Sequence, residues 1–533
     1  MQPPLAPEGG AGAIHGRTDA ASSGSAEAAR SALTTEPIRE RRVRRVLACL
    51  CIAGIAVSIA LIGAVALLGP SAAVPSIPSG YPWPLFFLHG QLHGQPGVRL
   101  VTWSAWLAVL AAAGGLAAGL SAVRRRWRPQ PQLLIAGSLI AVMGLMLLPP
   151  IGSPGLLEDA VYGRIAALGH SPYQMTPKDF AATGDRMATY SIRTLQRDPS
   201  PYGPLMTVTQ EAASELGGDS VTRTMFWLKV WNALAFLAVA LALDRMLRFD
   251  PSRRTRAHLL WTANPLMLLA VMAGGHNDVL GVIFGVLAVA AFRRADFTSS
   301  LLAGVLAGTA IVLEAPFALV ALGLAIAALR SPRALAGVAL GVAAVVLPTY
   351  AIAGKLAVAS VLSEGGRGLS TYQPWQLVAR FAPSFGTLSR TDMVAIAASV
   401  VLAAFLLWRM PAGLPEFPAV RPALALTLAW LILSPQQRTW CDVTIFALLA
   451  LMPATKLDWI ALVRAAVTVV AQLPGVTTPA STPLWLQRYA GALNTLLVPV
   501  AIALLTITLI GLCLTRGTAG GRARGAPKHA FPG

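Results

Sequence analysis

Long apolar stretches recur along this chain, and they restrict its fold more than any other feature. About fourteen of them follow one another, most of them separated by short polar connections. A segment inside a bilayer must satisfy its own backbone N–H and C=O groups, so stretches of this kind form helices. Several are about 12–16 residues long, short of the ~20 residues that a full crossing needs. We therefore predict an all-α polytopic membrane protein with about 11–14 transmembrane helices.

The composition supports this assignment. The 533 residues are 55% hydrophobic and 12% charged, whereas a soluble domain carries roughly 25% charged residues. A net charge of +19 would favour nucleic-acid binding in a soluble protein. Here the basic residues form short clusters that flank apolar stretches, the pattern of cytoplasmic loops. We therefore expect the lipid bilayer, and no nucleic acid, as a partner.

The basic clusters also orient the chain, because lysine and arginine accumulate on the cytoplasmic side of a membrane. We predict a multi-pass plasma-membrane protein with both termini cytoplasmic. Residues 1–38 and 516–533 are predicted disordered tails, and residues 39–515 form the transmembrane domain. The clusters are Arg41, Arg42, Arg44 and Arg45; Arg124 to Arg126; Arg253, Arg254 and Arg256; Arg293 and Arg294; Arg330 and Arg333; and Arg516, Arg522 and Arg524.

The loops predicted on the opposite side carry the polar and aromatic motifs. The longest covers residues 150–222 and contains eight acidic residues. Loops of this length are usually functional or disordered. Its aromatic residues and turn motifs favour an ordered, helical loop with a function. We therefore predict that the active site is extracytoplasmic.

Glu158 and Asp159 open this long loop, in a stretch of helical character. A carboxylate at the membrane surface can accept a proton from a hydroxyl, so both are candidate general bases. Tyr162 lies three residues after Asp159, on the same helix face, and is a candidate substrate contact. The alternative is a solvated helix start, where acidic residues favour the positive end of the helix dipole.

Two proline turns, at residues 171–173 and 200–204, each place a tyrosine in the long loop. Proline and glycine restrict the backbone, while Tyr173 and Tyr202 offer a flat ring and a hydroxyl. Such rigid aromatics suit a sugar ring or a prenyl chain. The alternative is a pair of tight surface turns.

His276, Asn277 and Asp278 follow an apolar stretch on the same side. Ionisable residues beside a membrane are costly unless they are paired or hydrated. The trio is a candidate binding site for a phosphate, a sugar hydroxyl or a metal. The alternative, compatible with this one, is that Asn277 or Asp278 caps the next helix.

Arg438 is a basic residue in a short loop on the predicted outer side. An arginine there can bind a phosphate through two parallel hydrogen bonds. The alternative is an interfacial anchor formed with the nearby tryptophan. Further candidates are Gln437, Tyr372 and Trp375 for the substrate, and Arg367 for the donor phosphate.

Together these motifs resemble the GT-C class of polytopic glycosyltransferases. In particular, the chain is similar to polyprenol-phosphate-mannose-dependent α-1,6-mannosyltransferases that build lipomannan-type glycans in actinobacteria. The chain departs from that pattern at Glu314, where such relatives are expected to carry a lysine. The resembling elements, over roughly residues 40–515, are Asp159, Gly169-His-Ser-Pro-Tyr173, Ser200-Pro-Tyr-Gly-Pro-Leu205, Asn264-Pro265 with Gly274-Gly-His-Asn-Asp278, and Ser434-Pro-Gln-Gln-Arg438.

The resemblance implies an inverting hexosyltransferase of GT-C type. Its donor would be mannose on a polyprenyl phosphate, and its acceptor a glycan or glycolipid hydroxyl in an α-1,6 linkage. Asp159 or Glu158 would be the general base, while Arg438 and His276 would stabilise the departing lipid phosphate. The sequence indicates no required cofactor and leaves dependence on a divalent metal open.

The leading alternative function is a membrane transporter or a flippase for lipid-linked sugars. That class predicts ionisable residues in mid-span and an inverted repeat. Nearly all charges of this chain are expected in loops, which disfavours ion coupling. A non-catalytic membrane scaffold is the second alternative, and the long loop rich in aromatic and acidic residues argues against it.

Overall fold

The computed structural model describes residues 38–75, 77, 96–153, 155–190, 198–363, 373–381, 388–434, 442–473 and 484–519. These residues form helices and turns and contain no β-strand. The all-α prediction is therefore confirmed. The predicted tails lie outside the described residues, apart from Ile38 and residues 516–519, which are helical.

The helices follow one another with short connections, and several begin where a polar residue or a proline favours a helix start. Asp250, for example, accepts hydrogen bonds from the backbone N–H groups of Ser252 and Arg253, which have no partner within the helix. In chain order the α-helices are α1 (Ile38–Leu67), α2 (Val98–Arg124), α3 (Pro131–Met146), α4 (Gly155–Ala167), α5 (Pro177–Ala181), α6 (Pro204–Gly217), α7 (Val221–Met246), α8 (Pro251–Leu260), α9 (Pro265–Met267), α10 (Val279–Ala291), α11 (Phe297–Leu313), α12 (Ala318–Ala328), α13 (Pro332–Ala353), α14 (Lys355–Ser363), α15 (Trp375–Phe381), α16 (Leu388–Arg409), α17 (Val420–Leu433), α18 (Asp442–Ala450), α19 (Leu457–Gln472), α20 (Leu484–Ala492) and α21 (Val498–Ala519).

Five helical segments of the described chain are long and apolar enough to cross a membrane. They are α1, α2, α7, α13 and the segment Leu493–Thr515, which joins a π-helix to α21. Six further apolar helices have 10–17 residues, in agreement with the short stretches in the sequence. They are Pro131–Met146, Val279–Ala291, Phe297–Leu313, Ala315–Ala328, Met393–Arg409 and Val420–Leu433.

Besides Asp159, five charged residues are buried inside the helical bundle. We expected nearly all charges to lie in loops, and for these residues that expectation is wrong. Each is at most 3% exposed, and a buried charge requires hydrogen bonds or an opposite charge. The structure supplies such partners from helices that are distant in sequence. The five are Lys229, Arg256, Asp442, Asp458 and Arg464.

Lys229 illustrates how such a charge is accommodated. It lies in the middle of α7, and its Nζ donates to the carbonyl oxygens of Leu148 at 2.7 Å and Leu145 at 3.2 Å. Leu145 belongs to the last turn of α3, where C=O groups lack partners within the helix, and Leu148 lies two residues beyond its end. Lys229 thereby fixes the point from which the chain leads into α4.

Polar contacts also join the helices at the basic end of the bundle. Asp244 of α7 forms hydrogen bonds with Arg254 Nε at 2.6 Å and His258 Nε2 at 2.8 Å, both in α8. Ser331 donates to the carbonyl of Ala295 at 3.2 Å, which joins the turns before α13 and α11. The basic turns therefore lie at one end of the bundle, as their spacing in the sequence predicts.

Candidate active site

The carboxylate of Asp159 in α4 is buried against two other segments. Asp159 is 2% exposed. Its Oδ1 accepts a hydrogen bond from Gln210 Nε2 at 3.1 Å, and its Oδ2 accepts one from Asn277 Nδ2 at 2.8 Å. A buried carboxylate is costly unless it is hydrogen-bonded, so the two amides fix its position. The alternative of a solvated helix start is wrong for this residue.

Three segments that are distant in sequence supply this arrangement. Asp159 lies in α4, Gln210 in α6, and Asn277 in the turn before α10. Gly275 has φ +76°, a left-handed conformation that favours glycine, and it turns the chain toward α4. The segment before it, Leu268–Ala273, is a π-helix, a rare form that often occurs at functional sites.

The neighbouring acidic and basic candidates are also buried. Glu158 is 7% exposed, His276 6% and Asp278 8%. The His276 ring lies beside Gly155, one helical turn before Asp159. A Cβ added at Gly155 would be 3.6 Å from His276 Cε1. The structure thus places His276 next to α4, as the predicted common face requires.

Neither Asn277 nor Asp278 caps α10 with its side chain in the described structure. Asp278 occupies the N-cap position, but its side chain makes no capping hydrogen bond. The Asn277 amide is directed to Asp159. The capping interpretation is therefore wrong for the two side chains, and Asn277 instead positions a candidate general base.

The two proline turns of the long loop pack against each other. The Ser200 N–H donates to the carbonyl of Pro172 at 2.8 Å. The Tyr173 hydroxyl donates to the Tyr202 carbonyl at 3.1 Å and lies 2.8 Å from Thr207 Oγ1. Burial raises the pKa of Tyr173 to about 12, so its hydroxyl remains protonated at neutral pH. The two turns form one rigid unit beside α6.

Tyr162 contacts the backbone of the long loop. It is 3% exposed, and its hydroxyl donates to the carbonyl of Asp198 at 3.0 Å. It therefore braces the segment before the second proline turn. Contact of Tyr162, Tyr173 or Tyr202 with a substrate stays a prediction.

The second proline turn contacts two further parts of the same face. The Gly203 N–H donates to the carbonyl of Leu313 at 3.0 Å, directly before Glu314, which is 9% exposed. Ser360 Oγ of α14 donates to the Ser200 carbonyl at 2.6 Å. Residues from three predicted outer loops therefore meet around this turn.

Trp375 links the remaining outer segments. Its Nε1 donates to the carbonyl of Leu433, the last residue of α17. This contact places Trp375 at the C-terminal end of α17. The candidates Arg367, Tyr372, Gln437 and Arg438 lie outside the described residues, and their contacts stay predictions.

Gln210 is a candidate site residue that no motif in the sequence indicated. It lies in α6 directly after the second proline turn and is completely buried. A signal was present, because Thr207, Gln210 and Ser214 follow the spacing of one helix face, and all three are buried. A polar row on a buried face predicts a polar partner on the neighbouring element.

This arrangement suits proton transfer at the surface of the bundle. Both oxygens of Asp159 act as acceptors toward amide donors, so the carboxylate has a fixed orientation. A general base must lie within hydrogen-bonding reach of the proton that it takes up. His276 lies beside α4, and the tyrosine turns lie beside α6. Their contacts with a phosphate or a sugar stay predictions.

The packing of α4 on α6 depends on Gly163, one helical turn after Asp159. A Cβ at this position would lie 2.2 Å from the backbone oxygen of Gln210, so α6 would have to move. We expect Gly163→Ala to destabilise the protein by about 1–3 kcal/mol and to slow its reaction, since Gln210 orients Asp159. Thermal unfolding and reaction rate measure the two effects.

Gly137→Ala in α3 is the matched control. A Cβ at Gly137 has no neighbour within 4 Å, so this variant should unfold and react like the wild type. An unchanged Gly163→Ala protein would contradict the close packing of α4 on α6.

Comparisons with known proteins give relatives of one kind. A probable alpha-(1->6)-mannopyranosyltransferase of Mycolicibacterium smegmatis is 29% identical over 140 residues, or 26% of this chain and 24% of that protein. An alpha-(1->6)-mannopyranosyltransferase of Mycobacterium tuberculosis is 26% identical over 140 residues, with the same coverage. Alpha-(1->6)-mannopyranosyltransferase B of Corynebacterium glutamicum is 23% identical over 148 residues, or 28% of this chain and 24% of that protein. Each match spans about a quarter of the relative's length.

A family model covers a larger part of the chain. It is described as the N-terminal domain of alpha-(1->6)-mannopyranosyltransferase and matches residues 57–331. This range contains Asp159, Gln210 and Asn277, together with both proline turns. Because the model covers just over half of the chain, the protein belongs to the alpha-(1->6)-mannopyranosyltransferase family.

Proposed function

We propose that this protein is a membrane mannosyltransferase. In the proposed reaction, mannose passes from a polyprenyl phosphate to a hydroxyl of a glycan or glycolipid acceptor, with inversion and in an α-1,6 linkage. The reaction takes place on the extracytoplasmic face of the plasma membrane. The observation that carries the proposal is the buried carboxylate of Asp159, oriented by Gln210 and Asn277 within the region that matches the family.

Asp159 has the role of general base in this reaction. The acceptor hydroxyl loses its proton to the carboxylate as its oxygen attacks the anomeric carbon of mannose. The bond from that carbon to the phosphate oxygen breaks, and the lipid phosphate leaves with the bonding electrons. His276 and Arg438 are the proposed partners of this phosphate, where negative charge accumulates.

The charge distribution supports the proposed side of the membrane. The basic turns form one end of the bundle, and such clusters favour the cytoplasm. Asp159 lies at the other end, because α4 packs on the start of α7 while α7 ends among the basic turns. A donor with a prenyl chain suits this side, since the membrane delivers it in two dimensions and shortens the search for the site.

The buried charges do not favour a transporter. Lys229 is bound to two helix carbonyls, and Arg464 pairs with Asp442 at 3.0 Å. Each charge is thus matched locally by a neighbouring helix. Ion-coupled transport instead uses ionisable residues along a substrate or ion pathway.

The test is sugar transfer in membranes that contain the overproduced protein. Polyprenyl phosphates of mannose, glucose and arabinose are supplied separately with a mannan acceptor, and the products are subjected to linkage analysis. We expect an α-1,6-mannosyl product from the mannose donor, at a rate well above that of the other two. Parallel reactions with EDTA determine whether a divalent metal is needed.

Membranes that contain the Asp159→Asn variant at equal amount are the matched control. Equal product from the variant and the wild type would contradict the role of Asp159 as the general base. A product from a different donor would contradict the proposed substrate.

A further inference from the structure

We propose that the basic end of the bundle contains a binding site for the phosphate headgroup of an anionic phospholipid. The site is a cavity of about 520 Å³ between three turns: the α7–α8 turn, the turn after α10 and the turn before α17. We call it the arginine pocket. Its polar lining consists of Arg245, Arg248, Arg253, Arg293, Asp250 and Glu416.

The arginine pocket has an excess of positive charge. Four arginines line it against two carboxylates. Asp250 is already bound, because it lies 3.1 Å from Arg253 Nε and caps the start of α8. Three positive charges therefore remain in the pocket, those of Arg245, Arg248 and Arg293. Among the described lining residues, Glu416 is the remaining negative charge. Such an excess favours an anion, and arginine side chains bind phosphate through several parallel N–H groups.

Aromatic rings position two of these arginines. The guanidinium carbon of Arg248 lies 4.4 Å from the ring centre of Phe249, and that of Arg293 lies 5.7 Å from the ring centre of Phe417. A guanidinium over a ring keeps its in-plane N–H groups available as donors. The two cations are thus partly ordered before a ligand arrives, which lowers the entropy cost of binding.

The rest of the lining favours a lipid over a soluble phosphate. Phe249 is 85% exposed at the mouth of the pocket, and Met246, Leu414 and Phe417 also line the cavity. An exposed phenylalanine at the end of an apolar helix is suited to contact with lipid at the membrane surface. A headgroup bound to the arginines would place its acyl chains against this apolar part. Basic pockets between helices at this level are sites for anionic lipids.

The arginine pocket is separate from the candidate active site. Asp159 lies next to the first turns of α7, whereas the pocket begins at its last turn. The 26 residues of α7 rise about 39 Å, so the two sites are roughly one bilayer thickness apart. The proposed lipid therefore does not act as the sugar donor, and the inference does not depend on the proposed transfer.

The experiment measures lipid retention and thermal unfolding of the full chain in a neutral detergent. Phosphatidylglycerol is added, with phosphatidylcholine and inorganic phosphate in separate arms. Native mass spectrometry counts bound lipids, and the midpoint of unfolding is followed against lipid concentration. We expect phosphatidylglycerol to be retained and to raise the midpoint, with little effect of phosphatidylcholine or inorganic phosphate.

The double variant Arg248→Gln/Arg293→Gln should bind phosphatidylglycerol about thirtyfold more weakly, since two positive charges near the headgroup are lost. Its matched control is Arg330→Gln/Arg333→Gln, which removes two exposed arginines at the same end but outside the pocket. The control should bind as the wild type does. Each single variant, Arg248→Gln and Arg293→Gln, should show an intermediate loss, and size-exclusion chromatography checks that all variants are folded.

Three results would overturn the proposal. Equal weakening in both double variants would mean that the lipid responds to overall basic charge rather than to the pocket. Stabilisation by inorganic phosphate that also requires Arg248 and Arg293 would identify a soluble anion as the ligand. Equal retention of phosphatidylcholine would show that the headgroup charge is not recognised.

Discussion

Asp159→Asn should lower the rate of sugar transfer by about a hundredfold or more while the protein remains folded in the membrane. An amide has nearly the shape of a carboxylate but cannot accept the proton of the acceptor hydroxyl, and general bases contribute roughly 10²–10⁴-fold. The new amide nitrogen would also face a donor, because Gln210 and Asn277 both donate to this side chain. Initial rates with polyprenyl-phosphate mannose measure the effect.

Glu158→Gln is the control for this variant. Glu158 is adjacent and similarly buried, but neighbouring residues of a helix point about 100° apart. The two amide donors described here bind Asp159, so Glu158→Gln should retain most of the transfer activity. The opposite pattern, an active Asp159→Asn and an inactive Glu158→Gln protein, would make Glu158 the base.

Much of the site could be predicted because charge and motif placement are local properties of the sequence. The basic clusters predicted which loops share an end of the bundle. That sorting placed Asp159 and Asn277 on one face, although 118 residues separate them. The direct contact between their side chains was not predicted. It depends on the rotation of α4 and on the turn at Gly275, which periodicity does not determine.

The buried charges could not be predicted for a related reason. Lys229 follows α3 by more than eighty residues, and its partners are backbone carbonyls at the end of that helix and just beyond it. A sequence shows the charge of a lysine, whereas backbone acceptors occur at every residue and carry no signal. The same holds for Arg256, whose guanidinium donates to the carbonyls of Met452 and Leu449 as well as to Asp458.

Asp458→Asn should be among the most destabilising single substitutions in this protein. Asp458 is 1% exposed and accepts from Arg256 Nε at 2.9 Å, and Arg124 Nη2 lies 3.9 Å away. Asparagine keeps one acceptor oxygen but removes the negative charge, which leaves Arg256 buried without its counter-charge. Breaking a buried ion pair in this way costs about 3–5 kcal/mol. Unfolding in detergent, followed by heat and by denaturant, measures the loss.

Asp219→Asn separates this effect from the loss of an ordinary ion pair. Asp219 lies 2.6 Å from Arg164, but its side chain is 90% exposed, and surface pairs contribute little because water and salt screen them. We expect wild-type stability for this control at all salt concentrations. Asp458→Asn should stay unstable even at high salt, because bulk ions do not screen a buried pair. Equal stability of the two variants would mean that water or another anion compensates Arg256, and that α8 and α19 are joined chiefly by apolar packing.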